Sequence, residues 1–263
     1  MRNKMVRSII TVAATMAIIA AALFAYIGVK SSHIVPVLMY HAFWETSEAQ
    51  TPYVTPEIFR KQMKFFIDNG YNIVGPDKVI AYMTGEEKMP AKTVAITIDD
   101  GDYSFYEEAY PVLKEYRIPA VLFMSTDKIG QPGYVGWKEL REMSDAGLVK
   151  IGSHTKSHPW LPTISVDEEK VHEELALSKE ILEKGTGKKV EYLCYPNGGF
   201  NDLIKESARK YGYKGAFTTN PDKYSRIDDI YAIRRIKMSS KTRYPIIIWG
   251  KVNRYYAWIK ERR

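Results

Sequence analysis

Cysteine is almost absent from this chain: Cys194 is the only one in 263 residues. An intrachain disulfide is thereby excluded, and so is a metal cluster built on several thiolates. Histidine is scarce as well, with five, and none follows His172. No internal repeat and no low-complexity segment is visible, which sets aside solenoids and propellers. Long apolar runs are confined to the first thirty residues, so a polytopic membrane protein is ruled out. Net positive charge is missing from the bulk of the chain. The net charge of +7 arises from four cations within residues 1–30 and five cations against one acid within 251–263. The stretch between is close to neutral and lacks a basic, aromatic-interleaved patch, so nucleic-acid binding is a poor fit.

What the N-terminus does have is Arg2, Lys4 and Arg7, then an apolar run from Ile9 to Val29, then Lys30. About 20 apolar residues span a hydrocarbon core. Cations ahead of the run keep the N-terminus in the cytoplasm and send the rest across. The expectation is a single-pass signal anchor over residues 1–30, with 31–263 extracytoplasmic. The alternative is a signal peptide cleaved near Ala20-Ala21-Ala22, which would release a secreted protein.

After Ser32 the pattern alternates strands and helices. Apolar or β-branched runs at Ile34–Tyr40, Tyr71–Val74, Thr93–Ile98, Ala120–Ser125, Val149–Ser153, Glu191–Tyr195, Gly215–Thr219 and Ile230–Ile236 read as strands. Thr55-Pro56-Glu57 opens a helix that Gly70 stops. Further helices read at about 105–116, broken by Pro111, and at 137–146, 165–183 and 201–210. Apolar strands between amphipathic helices imply a mostly parallel sheet covered on its outside. Seven or eight such strands in about 210 residues favour a closed barrel over an open sheet. In such barrels the chemistry sits at the C-terminal strand ends.

That rule selects the residues to examine. Asp99-Asp100-Gly101 directly follows Thr93–Ile98. Two adjacent carboxylates face different ways, so one can bind a metal while the other stays free as a base. His154 and His158 follow Val149–Ser153 and can converge on one cation with a carboxylate. Zn²⁺ accepts such ligands, acidifies its bound water and polarises a carbonyl. His41 ends the first strand and would share that rim. The Tyr195-Pro196-Asn197-Gly198-Gly199 turn can aim a backbone N–H at a developing oxyanion. Of Arg234 and Arg235, one side chain points into the rim. Trp137 and Trp160 read either as core or as sugar-stacking platforms.

These residues resemble a family. TIDDG at 97–101 and SHTKSH at 153–158 look like the first two motifs of NodB-homology polysaccharide deacetylases, carbohydrate esterase family 4. PVLMYH at 36–41 and LCYPNGGFND at 193–202 extend the resemblance over about 35–240. It implies an α/β fold, a distorted (β/α)7 barrel, here behind a single N-terminal transmembrane helix. It also implies metal-dependent removal of acetyl groups from glycans. Carried over, Asp99 is the general base, and Asp100, His154 and His158 bind the metal, most often Zn²⁺, with Co²⁺ or another divalent ion as alternatives. The Asn197 N–H helps hold the oxyanion.

Two departures stand out. The family has an arginine two residues before the proline of its third motif, tethering the base; this chain has Cys194 there. The family's terminal Leu-x-His acid is missing. The pattern is closer to the branch acting on poly-β-1,6-N-acetylglucosamine, in which an early histidine is implicated, so His41 becomes the candidate acid. Arg235 is the candidate replacement for the tether, and with Asn197, Tyr195 and Trp160 it is grouped as glycan-binding.

The reading is a membrane-anchored deacetylase of a wall or extracellular N-acetylglucosamine polymer, with metal-bound water as nucleophile and no obligate protein partner. Its rivals are a catalytically impaired glycan binder on the same barrel and a metal hydrolase of a small amide or ester. Domains divide at 1–30, 31–243 and 244–263, the last a basic, aromatic helix that either packs on the barrel or lies against anionic lipid or wall polymer.

Overall fold

A computed structural model describes residues 2–31, 35–45, 53–219 and 229–253. The chain opens with α1 (Arg2–Ser31), a 30-residue helix exposing Ile10, Met16, Ile18 and Leu23. Among the described residues no helix is long and apolar enough to cross a membrane.

The strands are β1 (Val37–Tyr40), β2 (Asn72–Val74), β3 (Thr93–Ile98), β4 (Ala120–Met124), β5 (Val149–Ser153), β6 (Tyr192–Cys194), β7 (Gly215–Phe217) and β8 (Ile236–Lys237). They form one parallel sheet in the order β7-β6-β5-β4-β3-β1-β8, with β2 pairing β3 off that path. Helices α2 (Pro56–Asp68), α3 (Pro76–Met83), α4 (Tyr110–Tyr116), α5 (Trp137–Asp145), α6 (Glu168–Val171), α7 (Ser178–Thr186), α8 (Asp202–Lys210) and α9 (Pro245–Val252) connect or follow them. This curled parallel sheet agrees with the expected (β/α)7 barrel.

Local chemistry explains the boundaries. Thr55 caps α2 through its hydroxyl, which accepts the Ile58 N–H, and Pro56 sits where no N–H is needed. Pro111 removes a donor, and the turn before it, Phe105–Ala109, widens to a π-helix before α4 begins. The expected strand Ile230–Ile236 is corrected. Only Ile236–Lys237 is strand, while Ile233 makes a lone parallel bridge to Phe217. Segment 233–237 therefore bonds β7 at one end and β1 at the other, through Leu38 opposite Ile236. It joins the two edges of the sheet.

Successive strand residues point to opposite faces. Val94, Ile96 and Ile98 join the large core beneath the helices, whereas Ala95 joins a smaller cluster inside the curl with Val37, Val121, Phe123, Tyr192, Cys194, Phe217 and Ile233. Continuing each inward set in steps of two, from Val37, Ala95 and Ile233, reaches His41, Asp99 and Arg235. The same alternation in β5 sends Gly152 and His154 inward. Strand periodicity alone thus brings four polar side chains from four segments to one rim.

Candidate active site

Asp99 and His41 are neighbours because β1 and β3 run in register, Tyr40 opposite Ile98, and the Asp99 N–H donates to the Tyr40 carbonyl at 3.0 Å. His41 Nε2 lies 4.0 Å from Asp99 Oδ2. Asp99 is 1% exposed, and Arg235 holds it at both oxygens: Nη1 donates to Oδ1 at 2.6 Å and Nη2 to Oδ2 at 2.7 Å. The same guanidinium donates to Thr97 Oγ1, to the Thr218 carbonyl and to Cys194 Sγ, the last at 2.9 Å. Burial on its own would push Asp99 up, but the charge and hydrogen bonds of Arg235 outweigh it and hold the carboxyl well below the usual range. Arg235 is buried and pushed up by the same pairing against the opposing cost of burial. Burial lowers His41, with the nearby carboxylates opposing. Burial pushes the Cys194 thiol up, so it serves as a small neutral neighbour of the pair.

Asp100 turns the other way. Its φ is 74° and that of Gly101 is 78°, two consecutive left-handed residues. The backbone conformation demands glycine at 101, and a Cβ there would also lie 2.0 Å from Met124 Sδ and push that side chain aside. This turn swings Asp100 Oδ1 to 3.8 Å from His154 Nε2 and 3.6 Å from His158 Nε2. Ligand atoms of these three residues all lie within 4.8 Å of one another.

The cluster fits a cation. His154 Nδ1 is 2.8 Å from the Cys194 carbonyl, which can only accept, so that nitrogen carries the proton. Nε2 then presents a lone pair toward the Asp100 carboxylate. Protonation does not relieve this meeting of acceptors, because burial holds His154 neutral down to about 4. A divalent ion does, and carboxylate and imidazole suit zinc and several of its neighbours.

Two expectations are corrected. Tyr195 does not face the rim: Cys194 takes the inward position, and Tyr195 is buried, stacked on Phe200, its hydroxyl donating to the Tyr231 carbonyl. Arg235 is buried, its guanidinium engaged on Asp99, Thr97, Thr218 and Cys194, and offers no surface to a glycan. The other two candidate contacts are accessible. Asn197 sits exposed in the Pro196–Gly198 turn at φ 52°. Trp160 is 48% exposed with its ring against Gly199, where a Cβ would come within 2.5 Å. Trp137 packs elsewhere, over Gly185 of α7. His172 meets Tyr211 edge-on, and His33 lies outside the described residues.

Lys128 escaped the sequence reading. Its Nζ is 3.5 Å from Asp100 Oδ1 and 5.0 Å from the Tyr134 ring centroid. It follows β4 by four residues, and the strand-end rule applied to β4 points to it.

Comparison with known proteins agrees with this geometry. A family model described as polysaccharide deacetylase matches residues 86–216. YxkH of Bacillus subtilis, assigned by its name to the polysaccharide deacetylases, is 32% identical over 215 residues, 82% of this chain and 75% of its own. The poly-β-1,6-N-acetyl-D-glucosamine N-deacetylase of Staphylococcus aureus (strain MRSA252) is 30% identical over 200 residues, 69% of each chain. Among solved structures, the Streptococcus pyogenes deacetylase PplD in complex with acetate has a TM-score of 0.73 at 28% identity, covering 83% of this chain and 97% of that one. IcaB from Ammonifex degensii has a TM-score of 0.72 at 26% identity, covering 82% and 97%.

Proposed function

Because the chain belongs to the polysaccharide deacetylase family, we propose that it hydrolyses the N-acetyl groups of an N-acetylglucosamine polymer outside the cytoplasm. The observation that carries this reading is the pairing of a cation-ready cluster, Asp100, His154 and His158, with an arginine-held carboxylate one residue away, Asp99. A likeness to a poly-β-1,6-N-acetyl-D-glucosamine N-deacetylase supports that polymer as the substrate.

Asp100, His154 and His158 would hold the divalent ion. When bound, it supplies a Lewis acid that acidifies water and polarises the acetamide carbonyl. Arg235 keeps Asp99 ionised and fixed, so the carboxylate is oriented for proton transfer rather than made strongly basic. Asp99 takes the proton of the water that adds to the acetamide carbon. His41 enters neutral, because burial lowers its pKa, and the proton it delivers must come from the reaction itself. Asp99 Oδ2, at 4.0 Å, is its source. His41 passes that proton to the nitrogen as the C–N bond breaks, giving acetate and a free amine. The backbone N–H of exposed Asn197 steadies the oxyanion, and Trp160 stacks on a sugar ring.

The impaired-binder alternative loses one of its two motives, since a guanidinium does reach Asp99, from Arg235. The test is acetate release by the full-length chain from a panel of acetylated glycans. Release should be abolished by a chelator and restored by added metal. D99N should lower the rate about 10²–10⁴-fold while metal stays bound. A fully active D99N, or release indifferent to chelator, overturns these roles.

The same proposal anchors the protein in the cell membrane through residues 9–29. Its support is the order of cations and apolar run in the sequence.

A further inference from the structure

The turn that carries His158 has its backbone amides accounted for one by one. The Thr155 N–H donates to Ser153 Oγ at 3.1 Å. The Lys156 and Ser157 N–H groups both donate to Glu174 Oε2, at 2.9 and 2.8 Å. The Ser157 hydroxyl donates to Glu174 Oε1 at 2.5 Å. The His158 N–H donates to Thr155 Oγ1 at 3.1 Å. One carboxylate therefore takes three of the five bonds.

The turn needs such a hold. Thr155 and His158 both adopt left-handed φ, 66° and 65°. Non-glycine residues persist there only when their surroundings over-determine them. Glu174 is 7% exposed and lies in the π-helical turn His172–Leu177 between α6 and α7. That turn is itself fastened to β5: Ser178 Oγ donates to the Glu174 carbonyl at 2.7 Å and lies 2.9 Å from Ser153 Oγ. A rigid path runs from β5 through α7 back to the loop.

We propose that Glu174 is a positioning residue for His158. By holding the Lys156 and Ser157 amides it fixes the left-handed backbone of His158 and so aims that ring at Asp100. The inference rests on the reading that Asp100, His154 and His158 bind the catalytic cation. It adds a carboxylate that touches neither cation nor glycan. Groups that orient metal ligands in this way are commonly worth 10–100-fold in metal affinity.

The experiment is Zn²⁺ binding to the full-length chain, by competition with a chromogenic chelator, beside the melting temperature of the metal-free protein. H158A sets the baseline for a lost ligand. E174A should bind Zn²⁺ about 10–100-fold more weakly than wild type. E174Q should stay within about threefold, because its amide oxygen can accept both backbone N–H groups and its NH₂ can meet Ser157 Oγ. A merely structural role would lower the melting temperature of both variants and leave the affinity of the folded protein unchanged. Should E174A not fold, E174D serves, since its shorter carboxylate cannot span to the loop; it should bind more weakly in the same sense. Wild-type affinity in E174A or E174D overturns the proposal, as does an E174Q as weak as E174A. A wild-type chain that binds Zn²⁺ no better than H158A overturns the metal-site reading and this inference with it. That result is separate from a wild type that binds and an E174A that binds equally.

Discussion

Asp99 and Arg235 form a buried, two-point pair, and what happens when one partner leaves is predictable. R235A strands a carboxylate inside the curl, at a cost of about 3–5 kcal/mol. R235K keeps the charge but offers a point rather than a fork, so it recovers part of the stability and little of the alignment. Urea unfolding beside acetate release would separate the two effects. Wild-type rates in R235K would mean that charge alone is needed. His154 supplies a pH test in the metal-free chain. Folding holds it neutral down to about 4, against an ordinary value near 6.5. Between those limits the unfolded chain binds a proton that the folded chain refuses. Stability is therefore full above about 6.5 and falls as pH drops toward about 4. Melting with chelator present at about pH 7 and about pH 4.5 should show the loss, and H154F should flatten it. Identical pH profiles in the two proteins would show that His154 is not held neutral.

At the scale of elements, the sharpest dependence is the turn after β3. G101A forces a side chain into left-handed backbone and against Met124. Together these should destabilise by about 2–4 kcal/mol, read as a lower urea midpoint; an unchanged midpoint would show that the turn can relax. Much of the rim was legible beforehand. The β-branched run at 93–98 and the paired acids after it placed Asp99 and Asp100, and the strand ending at Ser153 placed His154. Alternation within strands also assigns Tyr195 outward and Arg235 inward, which is why Arg235 meets a carboxylate and Tyr195 packs on Phe200. Lys128 lies in the short turn beyond β4, where the strand-end rule reaches it but strand alternation does not, and Glu174 lies in a helix whose polar residues all read alike. Only burial distinguishes Glu174 from Glu173, its exposed neighbour in the same π-helical turn. The last strand is irregular because Ile230–Ile236, apolar enough for a strand, divides its hydrogen bonds between β7 and β1.

Over the whole molecule, the proposed anchor makes a topological claim. In intact cells or right-side-out vesicles, added protease should degrade residues 31–263 and leave a short protected N-terminal fragment. Full protection until the membrane is opened would place the barrel on the other side. The joining segment 233–237 has a consequence of a different kind, one of timing. The proposed cation ligands and Asp99 are all present once residue 158 has been made, but Arg235 lies 136 residues beyond Asp99. A chain still being synthesised or exported carries its complete ligand set with Asp99 unclamped. Catalytic alignment arrives only when the last segment seats and joins the two sheet edges. A nick between 219 and 233 that lets the tail depart would leave a protein able to hold its ion and unable to use it.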